Sequence, residues 1–292
     1  MSHGGGIVLG TCVNDSGSEP AATDRLCWPP KYDLFDVQVS ATTYDETLEV
    51  ILEAAARGVP AVASFYAVDA LVGTSDAPAL REQVNRFQIV APDGQPVRWA
   101  LNLLHGLRLP HPVCGSDLMW MLCRRAADAG VPVYLYGGSP AALEKLRMRL
   151  ESDFPALRIA GAESPPFRPL SAEEDEATVC RINQSGARLV FVGLGYPKQD
   201  QFAIAHRDRI QAVQLCVGAA FDFLSGTKRR APALMRRLGL EWLHRLATEP
   251  TRLWRRYLVR NTRYAVKLAM ALAKKQLRID RAHRPRRNDE VS

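Results

Sequence analysis

The chain has 292 residues, of which 47 % are hydrophobic, enough to fill the core of one large domain or two small ones and too many for a disordered polymer. Its six cysteines are scattered with no pair two residues apart, which excludes a close-spaced zinc site and a dense disulfide framework and fits reduced thiols. The net charge of +7 is uneven: residues 228–287 carry 19 Lys and Arg against three acids, so the rest of the chain is net acidic.

An acidic body with a strongly basic tail suits a polyanionic partner such as membrane lipid, nucleic acid or a phosphorylated substrate, while a solubilising tail is the plainer alternative. The opening residues lack a basic leader followed by a long apolar run, so no signal peptide is expected. No stretch approaches the roughly 20 apolar residues that cross a bilayer. A cytoplasmic protein is the expectation.

Residues 1–30 are rich in Gly, Ser and Pro and read as a flexible leader. Over 31–226, short apolar runs at 35–39, 59–65, 88–91, 131–136, 157–160, 189–193 and 215–218 predict strands. Helical patterns at 44–57, 77–87, 97–104, 116–129, 140–152, 172–185 and 198–209 lie between them. This alternation predicts an α/β fold, a Rossmann-like core around a mainly parallel sheet. Strands stop at Gly226, and residues 227–276 read as a basic helical appendage with helices at 231–246 and 250–276. In the second helix Leu253, Trp254, Tyr257, Leu258, Tyr264, Ala265, Leu268 and Leu272 fall largely on one side, with arginines and lysines over much of the remainder. Such a helix suits a membrane interface, or packing on its own domain or a second subunit, so a homo-oligomer stays open. Residues 277–292 read as a disordered tail.

Four segments carry candidate chemistry. Ala91-Pro92-Asp93-Gly94 ends a strand; it is ordinary turn chemistry, or it sets the Asp93 carboxylate where it can take a proton from a hydroxyl. Tyr136-Gly137-Gly138-Ser139-Pro140 runs from strand to helix, and two glycines before a helix start suit a phosphate, though many such turns use Gly for packing alone. Gly193-Leu194-Gly195-Tyr196-Pro197-Lys198-Gln199 repeats the arrangement and adds a charge and an amide at the carboxyl end of the sheet. Its spacing departs from the dinucleotide fingerprint, which disfavours NAD. Phe221-Asp222-Phe223 leads into the basic run Lys228-Arg229-Arg230, suited to a diphosphate or merely to a basic surface. No pair of acids separated by one residue at a strand end and no histidine cluster points to a metal.

In this order, these segments resemble the WecG/TagA/CpsF family of bacterial glycosyltransferases. The resemblance adds Val113-Cys114-Gly115-Ser116-Asp117-Leu118, Arg230-Ala231-Pro232, Gly239-Leu240-Glu241-Trp242-Leu243-His244-Arg245 and Glu249-Pro250-Thr251-Arg252, and spans about Leu34 to Tyr264. It implies an α/β core, a basic C-terminal appendage that engages an anionic membrane surface at the inner face of the cell membrane, and an inverting transfer without metal or other cofactor. The implied donor is a UDP-sugar, often of N-acetylmannosamine, and the implied acceptor a polyprenyl-diphosphate-linked sugar of a cell-surface polysaccharide. By position, Asp93 would be the base, Gln199 a substrate contact, and Gly137 and Gly138 the nucleotide site. Arg230, Arg245 and Arg252 would lie near a diphosphate, and Lys198, Asp222 and Glu241 would also meet substrate. Two departures stand out. Family members often carry Thr-Pro-Asn after the second strand, where this chain has the stretch Ala63-Ser64-Phe65-Tyr66-Ala67-Val68-Asp69, so those contacts are absent unless Ser64 or Tyr66 replaces them. Pro112 stands where Arg is common. The rival readings are a nucleic-acid-binding protein, disfavoured because no recognised DNA- or RNA-binding motif is present, and a non-catalytic subunit of a polysaccharide assembly complex.

Overall fold

The computed structural model describes residues 26–248 and 250–282. Strands β1 (Lys31–Leu34) and β2 (Val37–Ser40) form an antiparallel hairpin where the sequence predicts one strand over 35–39. The turn between them puts Phe35 and Asp36 at φ of 60° and 66°. Asp tolerates that left-handed region; Phe35 is held there by edge-on packing against Tyr264, with ring centroids 5.7 Å apart. Helix α1 (Tyr44–Arg57) starts with a reciprocal capping box between Thr43 and Glu46 and ends on left-handed Gly58.

Six strands make the main sheet: β3 (Ala61–Tyr66), β4 (Ile89–Pro92), β5 (Val133–Gly137), β6 (Ile159–Glu163), β7 (Leu189–Gly193) and β8 (Val213–Cys216). Their order is β4-β3-β8-β7-β5-β6 and every pairing is parallel, as the alternation predicts, so all six carboxyl ends share one edge. Every residue of β3 is buried, as expected for a parallel strand covered on both faces. Strand alternation sends Ala61, Ala63 and Phe65 into one apolar layer with Ile51, Leu118 and Leu122, and Val62 and Tyr66 into the opposite layer with Leu71 and Val90.

The covering helices are α2 (Val68–Ser75), α3 (Pro78–Val84), α4 (Gln95–His105), α5 (Gly115–Ala129), α6 (Pro140–Asp153), α7 (Ala172–Gln184) and α8 (Lys198–His206). Helix α2 carries Val, Gly, Thr and Ser, all modest helix formers, and has no side-chain cap. Its packing against the C-terminal helix supports it where propensity does not. The short α9 (Ala220–Leu224) follows β8.

The C-terminal part comprises α10 (Ala233–Arg237), α11 (Glu241–Thr248) and α12 (Pro250–Ala282). The single helix predicted over 231–246 is broken at Gly239, which takes φ +71°, while Leu240 N–H donates to Met235 O at 2.8 Å. Helix α12 lies on the core through Tyr264, whose hydroxyl donates to Pro96 O at 2.6 Å, and through Arg263 and Lys267, which reach Asp76 at 2.9 and 3.0 Å. Tyr264 and Leu268 therefore pack inward, whereas Trp254, Leu258, Val266 and Met270 remain exposed. Two expected boundaries move. Leu26 and Trp28 of the expected leader pack against the core, and α12 continues through 277–282, where a disordered tail was expected. The remaining leader and tail, residues 1–25 and 283–292, lie outside the described residues. Among those described, no helix is long and apolar enough to cross a membrane.

Candidate active site

A cavity of about 1470 Å³ opens along the carboxyl edge of the sheet, walled by the ends of β4, β5, β7 and β8 and by residues of α10, α11 and α12. This is where parallel α/β sheets hold ligands. The C-terminal helices thus complete the site, contributing Arg236, Glu241, Trp242, Arg245, Asn261 and Tyr264 to its lining.

Asp93 follows β4 directly. Its N–H extends the ladder to Tyr66 O at 3.0 Å, and Gly94, at φ +84°, turns the chain into α4. Val113 N–H donates to Pro92 O at 2.9 Å, which brings the start of α5 alongside, so that Gly115 N–H points at Asp93 Oδ2 from 3.5 Å. The half-buried carboxyl lines the cavity. Burial, and then the charge of Glu241, push its pKa up to about 6, against the neighbouring Cys114 thiol, the Gly115 N–H and the charge of Arg230.

Beside it, Asp117 in the first turn of α5 receives both Arg230 guanidinium nitrogens, Nη2 at 2.8 Å to Oδ2. Arg236 Nη1 reaches Asp117 Oδ2 at 3.5 Å, and Arg230 Nη2 also donates to Cys114 Sγ at 3.2 Å. Arg230 is therefore paired with a protein carboxylate and is not among the residues that line the cavity. Arg236 does line it.

At the ends of β5 and β7 the glycines divide. A Cβ on Gly137, at φ +126°, would stand 2.6 Å from the Gly193 carbonyl carbon, so this glycine serves the close pairing of two strand ends and does not line the cavity. Gly138 lines it, and so does Ser139, which caps α6 by accepting from Ala142 N–H at 3.2 Å. Further along the cavity, Tyr136 and Phe202 stack with centroids 4.6 Å apart, and a proline-rich loop, residues 165–171, also lines it, where Phe167 is 87 % exposed.

Lys198 and Gln199 open α8 at the cavity wall. Lys198 is exposed; Gln199 is 5 % exposed, its Nε2 donating to Cys216 O at 3.1 Å. Gln199 Oε1 has no hydrogen-bond partner among the described residues and lies against Gly218, whose ideal Cβ position is 3.3 Å away. Asp222 lines the cavity and pairs with Lys228 at 3.1 Å, while the Arg245 guanidinium sits 5.8 Å above the Phe223 ring. The side chain of Arg252 lies outside what the structure describes.

The structure places Ser64 and Tyr66 inside β3. Both are fully buried and off the cavity, donating to Asp200 Oδ1 and Oδ2 at 2.8 Å each. Alternation along β3 leaves Phe65 as the cavity-facing residue of the three. The sequence reading assigned no role to Cys114, Asp117 or Arg236. The Val113-Cys114-Gly115-Ser116-Asp117-Leu118 stretch signalled the first two, but nothing local announces that Asp117 meets an arginine 113 positions away. Among the described residues, no group of three or more His, Cys, Asp or Glu could hold a metal ion.

The family model described as the Glycosyl transferase WecG/TagA/CpsF family matches residues 32–278. The chain belongs to that family. It is accordingly a glycosyltransferase of the WecG/TagA/CpsF type, a hexosyltransferase. The match runs through the sheet and most of α12, so the helices that close the cavity belong to the matched body.

Proposed function

We propose that this WecG/TagA/CpsF glycosyltransferase moves a sugar from a UDP-sugar to a polyprenyl-diphosphate-linked acceptor by a direct, inverting, metal-independent displacement with Asp93 as general base. The observation that carries the reading is Asp93 itself, a cavity-lining carboxyl whose pKa is raised to about 6 at the carboxyl edge of a parallel sheet. Above that pH it is ionised and still basic enough to accept a proton.

The acceptor hydroxyl forms the new bond to the anomeric carbon and passes its proton to Asp93. The bond from that carbon to the diphosphate oxygen breaks, and its electron pair leaves with UDP. Lys198, Arg236 and Arg245 line the cavity and supply positive charge for the departing diphosphate, with the Gly138-Ser139 turn offering a helix start. Gln199 Oε1, fixed by the Cys216 contact, is an acceptor ready for a substrate hydroxyl or amide N–H. The space between the Tyr136–Phe202 stack and the loop at 165–171 suits the nucleoside. Glu241 acts through its charge on Asp93, and Asp222 through Lys228.

The basic C-terminal helices hold the enzyme at an anionic membrane surface on the cytoplasmic side, which brings the cavity to a lipid-borne acceptor. Exposed Trp254, Leu258, Val266 and Met270 supply apolar contacts beside that charge. The deciding experiment offers a panel of UDP-sugars with a synthetic polyprenyl-diphosphate sugar and reads products by mass spectrometry, with Asp93→Asn as control. A glycosylated lipid formed from one donor and lost in the control supports the reading; transfer undiminished in the variant removes Asp93 from the mechanism.

A further inference from the structure

Helix α4 turns Val97, Ala100 and Leu101 into the core. The opposite side of a helix packed in this way is ordinarily polar. Here it carries Trp99 and Leu103, one turn apart and 45 % and 54 % exposed. Leu234 and Leu238, also one turn apart, are exposed on and just after α10. The two pairs meet at Gly239. A Cβ there would stand 3.2 Å from the Trp99 ring and 3.2 Å from Gln95 Cβ, so the glycine lets the chain after α10 lie directly on α4. Gly239 and Gln95 both line the cavity, so one end of this apolar surface begins at the cavity wall. Its other end lies beside α12: Tyr264 Oη donates to Pro96 O, and Lys275 Nζ donates to Leu103 O at 2.9 Å, so the two helices run side by side away from the cavity. From Gln95 to Leu103 the helix advances about 12 Å.

We propose that Trp99, Leu103, Leu234 and Leu238 form a track for the first isoprene units of the acceptor's prenyl chain, leading from the cavity to the bilayer. The inference deepens the proposed function and rests on it for the identity of the acceptor. An acceptor sugar that reaches Asp93 draws its diphosphate and the nearest isoprene units within the protein's outline before the bilayer begins. Those units need an apolar surface that starts at the cavity, and this one does. Cations stand where the diphosphate would lie: Arg236 lines the cavity, and Arg237 is exposed directly before Leu238. The exposed apolar residues of α12 are placed differently. Trp254, Leu258, Val266 and Met270 are not among the cavity-lining residues, which suits them to the bulk bilayer and not to one chain leaving the site. A second copy of the protein fits this surface poorly, because it would bring its own basic α12 against the first.

The test needs neither sugar nor turnover. Full-length protein in detergent is irradiated with farnesyl diphosphate carrying a diazirine on its second isoprene unit, and the labelled peptides are read by mass spectrometry. Labelling is expected at 99–103 and 234–238, saturable, and suppressed by excess unlabelled polyprenyl diphosphate but not by the same excess of phosphatidylserine. Labelling confined to α12, or equal suppression by phosphatidylserine, overturns the track and makes the surface part of the bilayer contact. Trp99→Gln is expected to raise the concentration of probe at half-saturation about tenfold, the effect of losing one large apolar contact, while binding to phosphatidylserine vesicles that hold no prenyl lipid stays at the wild-type level. Unchanged saturation, or a parallel loss of vesicle binding, overturns the proposal. Should Trp99→Gln fail to fold, Leu103→Gln, at the far end of the track from the cavity, is read in the same way. Specific labelling in a protein that transfers no sugar to any polyprenyl-diphosphate acceptor would defeat the proposed reaction and leave the track standing, whereas intact transfer with unspecific labelling would defeat the track alone.

Discussion

Two carboxyls in this enzyme are pushed to about the same pKa and sit in opposite circumstances. Asp93 and Asp200 are both raised to about 6, in each case mainly by burial. Asp200 is fully buried, and Ser64 and Tyr66 each donate to one of its oxygens at 2.8 Å, with Thr74 behind them donating to the Tyr66 hydroxyl at 3.1 Å. Asp93 is half-buried, has the Gly115 N–H 3.5 Å from Oδ2, feels the charge of a second carboxylate in Glu241 and lines the cavity. A perturbed pKa marks removal from water, which an internal clamp and a catalytic base share. Access to the cavity separates them: Asp200 fastens α8 to β3, while Asp93 has an open side for a reactant.

The largest effect that this contrast predicts is on turnover. Asp93→Asn keeps the shape and removes the basicity, so kcat is expected to fall by about 10²–10⁴ with the fold retained by circular dichroism. Asp200→Asn, tested beside it, should fall far less. Equal losses in the two variants would erase the distinction drawn above. In wild type, the acid limb of the rate profile is expected near the Asp93 value of about 6, with activity falling below it as the base becomes protonated.

Asp200 should instead be visible in stability. Its folded pKa of about 6 stands above the ordinary carboxyl value of 3.8, so the native state holds its proton more tightly than the unfolded chain does. The contribution is fully present below the unfolded pKa and is lost as pH rises through about 6, an effect of up to about 3 kcal/mol at one pKa unit per 1.36 kcal/mol. Urea unfolding at pH 4.5 and 7 should show Asp200→Asn flattening that decline relative to wild type. Parallel pH dependence in the two proteins would mean that Ser64 and Tyr66 satisfy the carboxylate well enough to offset its burial.

The sheet and its order of elements were legible because their signals are local: apolar runs, turn glycines, helical periodicity. The carboxyl-edge placement of Asp93 and Gln199 followed from that alternation. What stayed hidden depends on partners distant in sequence. Alternation shows that Ser64 and Tyr66 share a side of β3, yet not that the side faces Asp200, 136 and 134 residues on. Gly137 and Gly138 look alike in sequence, and only the pairing of β5 with β7 makes the first a packing glycine. Helix α2 escaped notice because tertiary contact, not propensity, sustains it.

Asp117 sharpens the comparison at a smaller scale. It takes Arg230, Arg236 and Tyr44 on one carboxylate, joining the C-terminal part to α5. Its side chain is 36 % exposed, so solvent weakens the pairs well below the 3–5 kcal/mol of a broken buried ion pair, and Asp117→Asn is expected to cost about 1–2 kcal/mol in urea unfolding. An unchanged midpoint would mean that α12 alone holds the C-terminal helices on the core.

The smallest predicted effect separates two lysines of α12. Lys267 lies against the core, 3.0 Å from Asp76 and 2.9 Å from Ser75 Oγ, whereas Lys274 stands exposed. A basic side chain near an anionic bilayer is worth about 1 kcal/mol, so Lys274→Ala should weaken binding to phosphatidylserine-containing vesicles about fivefold at low salt. High salt should remove the difference, because the Debye length shrinks to about 3 Å at 1 M. Lys267→Ala should lower the unfolding midpoint and leave vesicle affinity nearly unchanged, since its charge is engaged within the protein. If both substitutions weakened vesicle binding equally, the bilayer would have to draw α12 away from Asp76, and docking on the core would be a state the enzyme leaves at the membrane. If neither did, the exposed apolar residues Trp254, Leu258, Val266 and Met270 would be left to carry the attachment, and vesicle binding would resist salt.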